Sequence, residues 1–380
     1  MKAGVYLHIP FCRSRCSYCD FATDVYKNAE TVERYVNALV GEIENFSRIS
    51  NVESRIVDTI YFGGGTPSLL SPRQLEKILD SIYKSFPVEK NIELTMEMNP
   101  ATVTLETLKE YADLGVNRAS FGAQTFDDAE LKRLGRRHTA ADVRETIELL
   151  RRAGFENVSF DLIAGLPRQT LADWEKNLDE ALNLKPEHLS LYLLEIHEGT
   201  PLAEQIRSNR QPLPDEDLAG EMYELMLDKT AAKGYAQYEI SNFSLPGLES
   251  RHNSKYWLCE PVYAFGVSAH SFDGGRRRWA NERDTNRYVS LIENNQTPIA
   301  EKNELDAGQL SAEFAFLGLR LTRGLHLGEY ENRFGIDLRR KFAEDLRRLE
   351  DLELIEFDAE FLKLTRKGFV FSNEVFALFV

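Results

Sequence analysis

The chain has 380 residues, and 46 lysines and arginines against 61 aspartates and glutamates give it a formal net charge of −15. That balance argues against a general nucleic-acid or anionic-membrane partner. The four cysteines, three of them crowded together, do not make a disulfide framework and point to a reducing, cytoplasmic setting.

Met1-Lys2-Ala3-Gly4 leads directly into a strand-like run, with no apolar signal region or cleavage site, and no stretch reaches the length of a membrane span. Strand-like runs at residues 5–9, 56–62, 92–98, 116–122, 158–163 and 189–196 alternate with helix-patterned segments, which predicts repeated βα units and a parallel sheet. Between the last two, Thr170 is placed to cap a helix whose Leu171, Trp174, Leu178, Ala181 and Leu182 share one face. Past residue 196 the rhythm changes. Pro212 and Pro214 mark a break, and Asp215, Glu216 and Asp217 open a helix running to about Lys233. Residues 235–284 are rich in aromatics, Gly and Asn without a long helical repeat. From about residue 304 the pattern turns helical again and ends in short runs at 354–357 and 361–365.

The chemistry-bearing positions begin with Cys12, Cys16 and Cys19, spaced CxxxCxxC. They supply one thiolate fewer than a closed four-cysteine site, so a metal centre held here keeps an open position. A structural zinc site completed by His8 is the alternative. Gly63-Gly64-Gly65-Thr66-Pro67 follows the second strand, where small residues either admit a ligand to the backbone or form a plain turn. Glu97 ends the third strand, Gln124 ends the fourth and Asp161 lies on the fifth, so polar groups converge on one rim of a parallel sheet. The Gly64, Gly65 and Thr66 backbone suits the ammonium end of a zwitterionic ligand, and Glu97 and Asp161 suit ribose hydroxyls or an amino group. Arg136 suits a carboxylate, although by itself it reads as a helix-end arginine. His8 and His270 are expected to be satisfied within packed structure, Cys259 to be a buried small apolar residue, and Arg276-Arg277-Arg278 to be a solvated loop.

Together the cysteine loop, GGGTP, ExNP, RxSxGxQ, the arginine twelve residues after that glutamine, and DLIxGLPxQT resemble the HemN/HemW branch of radical S-adenosylmethionine (SAM) proteins over most of the chain. The resemblance implies an α/β fold: a partial (β/α)6 radical SAM barrel over 1–210, a mixed α/β extension over 211–300 and a small winged-helix-like domain over 301–380. It also implies a [4Fe-4S] cluster on Cys12, Cys16 and Cys19, and SAM contacts at Tyr6, Gly64, Gly65, Thr66, Glu97, Gln124, Arg136 and Asp161.

Two details divide the branch. HemN-type coproporphyrinogen dehydrogenases resemble CxxxCxxCxC with a longer preceding segment, whereas here Phe21 stands two residues after Cys19 and eleven residues precede Cys12. Conversely, His252-Asn253-Ser254-Lys255-Tyr256-Trp257 matches HNxxYW, the haem-binding motif of HemW haem chaperones, with His252 as the expected haem ligand. In isolation the same residues read as a structural loop in which His252 and Asn253 satisfy backbone groups. Ala264 and Ser268 occupy places where the family usually has glycine. The expected function is therefore a haem carrier that delivers its cargo to an acceptor haem protein, with a flavodoxin- or ferredoxin-like reductant. Oxygen-independent coproporphyrinogen III dehydrogenase is the enzymatic alternative, and a radical methyltransferase a more distant one.

Overall fold

The computed structural model describes residues 2–49 and 55–379; Met1, the first residue of the N-terminal run, lies outside them. The first half alternates strand and helix as the periodicity predicts: β1 (Lys2–Ile9), α1 (Ala29–Ile49), β2 (Ile56–Gly64), α2 (Pro72–Ser85), β3 (Val88–Met98), α3 (Leu105–Asp113), β4 (Arg118–Gln124), α4 (Asp128–Arg133), α5 (Ala140–Arg152), β5 (Val158–Ala164), α6 (Leu171–Asn183) and β6 (His188–Leu193). The sixth strand stops at Leu193, short of residue 196. The chain there turns through Gly199, at φ 83, to Thr200, the N-cap of α7 (Pro201–Arg207).

After α8 (Glu216–Ala232) come β7 (Ala236–Gln237), β8 (Asn242–Ser244), α9 (Arg251–Trp257), β9 (Val262–Phe265), β10 (His270–Phe272), β11 (Arg277–Asn281), α10 (Thr285–Glu293) and β12 (Ile299–Glu304). All twelve strands form one sheet in the order β12-β11-β10-β9-β1-β2-β3-β4-β5-β6-β8-β7. From β9 to β6 the pairing is parallel, so β9 is a seventh parallel strand that the sequence pattern did not reveal. Four residues in a glycine- and aromatic-rich segment are too few to establish a period. The outer strands pair antiparallel.

Helix ends follow local chemistry. The Thr170 side chain accepts from Asp173 N in a reciprocal capping box, and Trp174, Leu178, Ala181 and Leu182 are buried as the pattern predicts. Asp215 caps α8 by accepting from Leu218 N. In strand after strand one face is apolar: Val5 and Leu7, Ile60 and Phe62, Leu94 and Met96, Ala119 and Phe121, Phe160 and Leu162, and Leu189 and Leu191 are all buried against helices. The other face is polar at every step of two: Tyr6 and His8, Thr59 and Tyr61, Thr95 and Glu97, Arg118 and Ser120, Ser159 and Asp161, His188 and Ser190. A period of two on strands covered on both faces separates packing from chemistry.

The chain ends in α11 (Ala307–Leu319) and a three-stranded sheet of β13 (Leu325–His326), β14 (Ile355–Phe357) and β15 (Phe361–Leu364), ordered β13-β15-β14, with short helices around it. Arg366 ties this part to α8 through Glu224 and, at 2.8 Å, Asp228. The fold is thus α/β, with a mixed sheet and a helical extension. Among the described residues no helix is long and apolar enough to cross a membrane.

Candidate functional site

The cysteine loop leaves the C-terminal end of β1 and is pinned from several sides. Ser17 N donates to Leu134 O at 2.8 Å, and Asp24 N and Tyr26 N donate to Pro10 O and Cys12 O at 2.8 Å each. Cys12, Cys16 and Cys19 are all half-buried and carry no disulfide. Burial pushes the Cys12 thiol up to about 11 and raises that of Cys19, with the neighbouring cysteines adding to both. Thr66 Oγ1 donates to Cys12 Sγ and Arg136 Nη1 to Cys16 Sγ, each at 3.6 Å. Asn99 joins these donors, giving its Nδ2 to Thr66 Oγ1 and taking Arg136 Nη2 on Oδ1, both at 2.6 Å. A cleft of ≈ 160 Å³ lined by Arg13, Cys16, Thr66, Asn99, Arg136 and His138 opens beside them.

Three soft thiol donors on one loop, with two hydrogen-bond donors aimed at sulfur, fit an iron–sulfur cluster. His8, the fourth ligand of the zinc alternative, has both nitrogens engaged: Nε2 with Ala22 O at 2.8 Å and Nδ1 with Tyr6 Oη at 3.2 Å. Among the described residues no three His, Cys, Asp or Glu side chains are grouped to hold a metal ion.

The GGG run continues β2 under this loop. A Cβ at Gly63 would meet the Tyr6 and Tyr61 rings at 2.9 Å, one at Gly64 the His8 ring at 2.7 Å, and one at Gly65 the Pro10 carbonyl oxygen at 2.7 Å. Gly64 also sits at φ 106, which L side chains avoid. Gly64 N donates to Glu97 Oε2 at 3.1 Å, and Tyr61 Oη donates to Glu97 Oε1 at 2.7 Å. Burial, reinforced by Asp161, pushes the Glu97 carboxyl up to about 7, and burial likewise raises Asp161. Gln124 is buried at a left-handed turn, φ 67. Arg136 is no surface helix-end residue: besides Cys16 and Asn99 it donates to Gly122 O at 2.7 Å.

The structure therefore places Tyr6, Glu97 and Asp161 on the polar face of the sheet, with Gly64, Gly65, Thr66 and Arg136 at its end below the cysteine loop; of these, Thr66 and Arg136 line the cleft. Sequence reasoning gave no role of their own to Asn99 and Arg118, which lie within ExNP and RxSxGxQ, and did not single out Tyr61. Arg118 is 1% exposed, and its Nε and Nη1 find no hydrogen-bond partner among the described residues. For Tyr61 and Arg118 the alternation of polar residues along β2 and β4 was an available signal, and for Asn99 the ExNP motif.

HNSKYW forms α9, which carries the chain from β8 at one edge of the parallel strands to β9 at the other. It is a helix, not a loop. Glu93 accepts from Arg251 N and His252 N at 2.9 Å each, a carboxylate at the helix N-terminus. Lys255, buried, pairs with Asp58 and Glu260 at 2.8 Å each. His252 is 1% exposed. Its Nδ1 lies 2.9 Å from Thr59 Oγ1 and its ring stacks on Tyr61 with centroids 5.0 Å apart. Burial, helped by Lys255 and Arg118, lowers its pKa to about 3, so the imidazole is neutral. Of the remaining expectations, Cys259 is buried and Arg276 and Arg277 are exposed, while Arg278 is half-buried and pairs with Glu313. His270 departs from its reading: it is exposed, because it begins the short strand β10 facing outward.

Comparison with known proteins adds to this geometry. A radical SAM superfamily model matches residues 6–181, and a HemN C-terminal domain model matches residues 305–371. The chain is 37% identical over 381 residues to the heme chaperone HemW of Lactococcus lactis, covering 99% of this chain and 97% of that protein. The chain belongs to the HemN/HemW branch of the radical SAM superfamily. A second HemW relative, that of Bacillus subtilis, is 38% identical and covers 100% of this chain and 99% of its own. Among solved structures, the HemN coproporphyrinogen III oxidase of Escherichia coli superposes with a TM-score of 0.85 over 100% of this chain and 89% of its own, at 22% identity. That last likeness is one of radical SAM fold.

Proposed function

We propose that this radical SAM protein is a haem chaperone, which binds haem at the α9 helix and passes it to an acceptor haem protein. The observation that carries the reading is the HNSKYW helix, seated against Thr59, Tyr61 and Glu93 of the sheet in a chain that matches heme chaperones over its whole length. Phe21, 66% exposed where the dehydrogenases resemble cysteine, supports it.

On this reading residues 1–210 curve into a partial (β/α)6 barrel, 211–300 form the haem-handling extension, and 301–380 are a winged-helix-like domain. Cys12, Cys16 and Cys19 would hold a [4Fe-4S] cluster, which together with bound SAM would supply reductive cleavage chemistry. A flavodoxin- or ferredoxin-like protein of the cytoplasm is the reductant. The chain's own side chains do the rest. Thr66 and Arg136 donate to sulfur and so stabilise thiolate charge. Arg136 meets the SAM carboxylate and the Gly64, Gly65 and Thr66 backbone its ammonium end. Glu97 and Asp161 accept from its amino or ribose hydroxyl groups, and Tyr6 and Gln124 line the same space. Tyr61 Oη holds Glu97 in place, and His252, neutral and stacked on Tyr61, adds no cation there.

Coproporphyrinogen III dehydrogenase is the second reading, favoured by the fold shared with the E. coli oxidase. One anaerobic preparation separates the two when haem binding and coproporphyrinogen turnover are measured side by side. Stoichiometric haem without protoporphyrinogen supports the carrier; turnover with SAM and reductant overturns it.

A further inference from the structure

We propose that the outer surface of the cysteine loop, ringed by Arg13, Arg15, Lys132 and Arg137, is the docking face for an acidic one-electron carrier protein of the flavodoxin class. The assignment rests on the reading above that Cys12, Cys16 and Cys19 hold a cluster, and it names where the reductant sits.

The chain as a whole is strongly acidic, at −15, yet the charges around this loop run the other way. Arg13 and Arg15 lie on the loop itself, and Lys132, Arg133 and Arg137 on the segment packed against it; all five are exposed. The packing is close. Ser17 N donates to Leu134 O at 2.8 Å, and a Cβ at Gly135 would lie 3.6 Å from Arg15 O and 3.7 Å from the Cys16 Cα. Arg13 and Arg137 line one cleft with Cys16. Helix α4 carries its acids, Asp128 and Glu130, in its first turn and Lys132 and Arg133 in its last, the end that meets the cysteine loop. Arg133 is drawn toward Glu130, at 3.9 Å. Arg13, Arg15, Lys132 and Arg137 have no carboxylate partner among the described residues. The loop's own exposed acids, Asp20 and Asp24, follow Cys19, where Phe21, Val25 and Tyr26 are exposed as well.

Unpaired cations beside exposed aromatics fit a protein partner, whose interface sets apolar contacts within a polar rim. The size fits too, since electron-transfer encounters are weak and bury under about 1,200 Å². A small acidic protein meets the patch within a screening length of about 8–10 Å, so the local positive field outweighs the distant negative one. An anionic membrane extends past the patch and meets the rest of an acidic surface. The three cysteines are half-buried, so a carrier seated here lies over the loop that bears them. On contact the carrier's anionic flavin hydroquinone loses one electron and becomes the neutral semiquinone, and the cluster gains that electron. No proton moves and no bond forms or breaks.

The test is binding of the anaerobically reconstituted full-length protein to a purified acidic flavodoxin, read as association rate and affinity. Binding is expected to weaken at least roughly 10-fold as ionic strength rises from about 0.01 M to about 0.15 M, and a basic cytochrome c, also a one-electron carrier, is expected not to bind. Arg15→Glu with Lys132→Glu should slow association roughly 10-fold or more. Because Arg15 adjoins Cys16, Lys132→Glu is also measured alone, and iron and sulfide matching wild type show that the variants keep the cluster. Arg347→Glu, exposed and unpaired in the C-terminal part, makes the same change in net charge and should leave association unchanged. Wild-type association in Lys132→Glu and in the double variant, or an equal loss in Arg347→Glu, overturns the assignment. So does tighter binding to anionic phospholipid vesicles that the same variants abolish. A wild-type protein that keeps iron and sulfide but binds no flavodoxin overturns the docking face and leaves the cluster reading intact; one that keeps neither overturns both.

Discussion

The ring of His252 rests on that of Tyr61, centroids 5.0 Å apart, and the Tyr61 hydroxyl reaches on to Glu97 at 2.7 Å. The helix proposed to carry haem and the carboxylate proposed to meet SAM are thus joined through one tyrosine. Tyr61→Phe keeps the stack and removes the donor, leaving a buried carboxylate one partner short. The expected cost is about 1–3 kcal/mol in chemical denaturation, together with weaker SAM binding. Unchanged values for both would show that Glu97 is held by Gly64 N alone.

The pH dependence of stability has a definite sign. Burial pushes both Glu42 and Glu97 up to about 7, against an ordinary 4.5. The folded state favours their protonated forms, so their stabilisation is fully present below pH 4.5 and is lost as pH rises through about 7. Glu42 lies apart from Glu97, accepting from Gly266 N, Asn281 Nδ2 and Tyr288 Oη. Urea unfolding at pH 5 and pH 8 is expected to show a smaller loss of stability on going to pH 8 in Glu42→Gln than in wild type. Equal losses would remove Glu42 as a source.

Asn99 links the donors of two cysteines, so Asn99→Ala should act at a distance on both. Two hydrogen bonds disappear, one of them to a guanidinium, at a cost of about 2–3 kcal/mol. Iron and sulfide retained after anaerobic reconstitution should fall as well. Full retention with lowered stability would confine Asn99 to a packing role.

Lys255 and Asp58 form a buried pair under α9, 2.8 Å apart. Lys255→Met strands the Asp58 carboxylate beside Arg251, 3.4 Å away, and should cost about 3–5 kcal/mol. Adding Asp58→Asn should recover part of that loss. A double-mutant cycle with no coupling would mean the pair is incidental to how α9 is seated.

Much of this was legible in the sequence because the deciding signals are local. Thr170 with Asp173 three residues on, and apolar residues at helical spacing, specify α6 without outside help. Cys12, Cys16 and Cys19 are neighbours in sequence before they are neighbours in space. Arg136 was not legible in the same way: its partners are Cys16, Asn99 and Gly122 O, each on a different element, so nothing within a turn of it distinguished it from a helix-end residue. The burial of His252 was not legible for a related reason. The motif shows an imidazole among aromatics, whereas its burial is set by Thr59, Tyr61 and Glu93, brought in by β2 and β3. Strand β9 stayed hidden because it was too short to carry a period.

The alternation of apolar and polar side chains along the parallel strands also bears on how such a protein can change. Hydrophobic burial comes from the helix-facing positions, so positions such as Thr95, Ser120, Ser159 and Ser190 can be exchanged with little loss of the burial that holds the sheet together. Substitutions on the polar face of the sheet could therefore change the chemistry presented there while the scaffold and its cysteine loop persist unchanged.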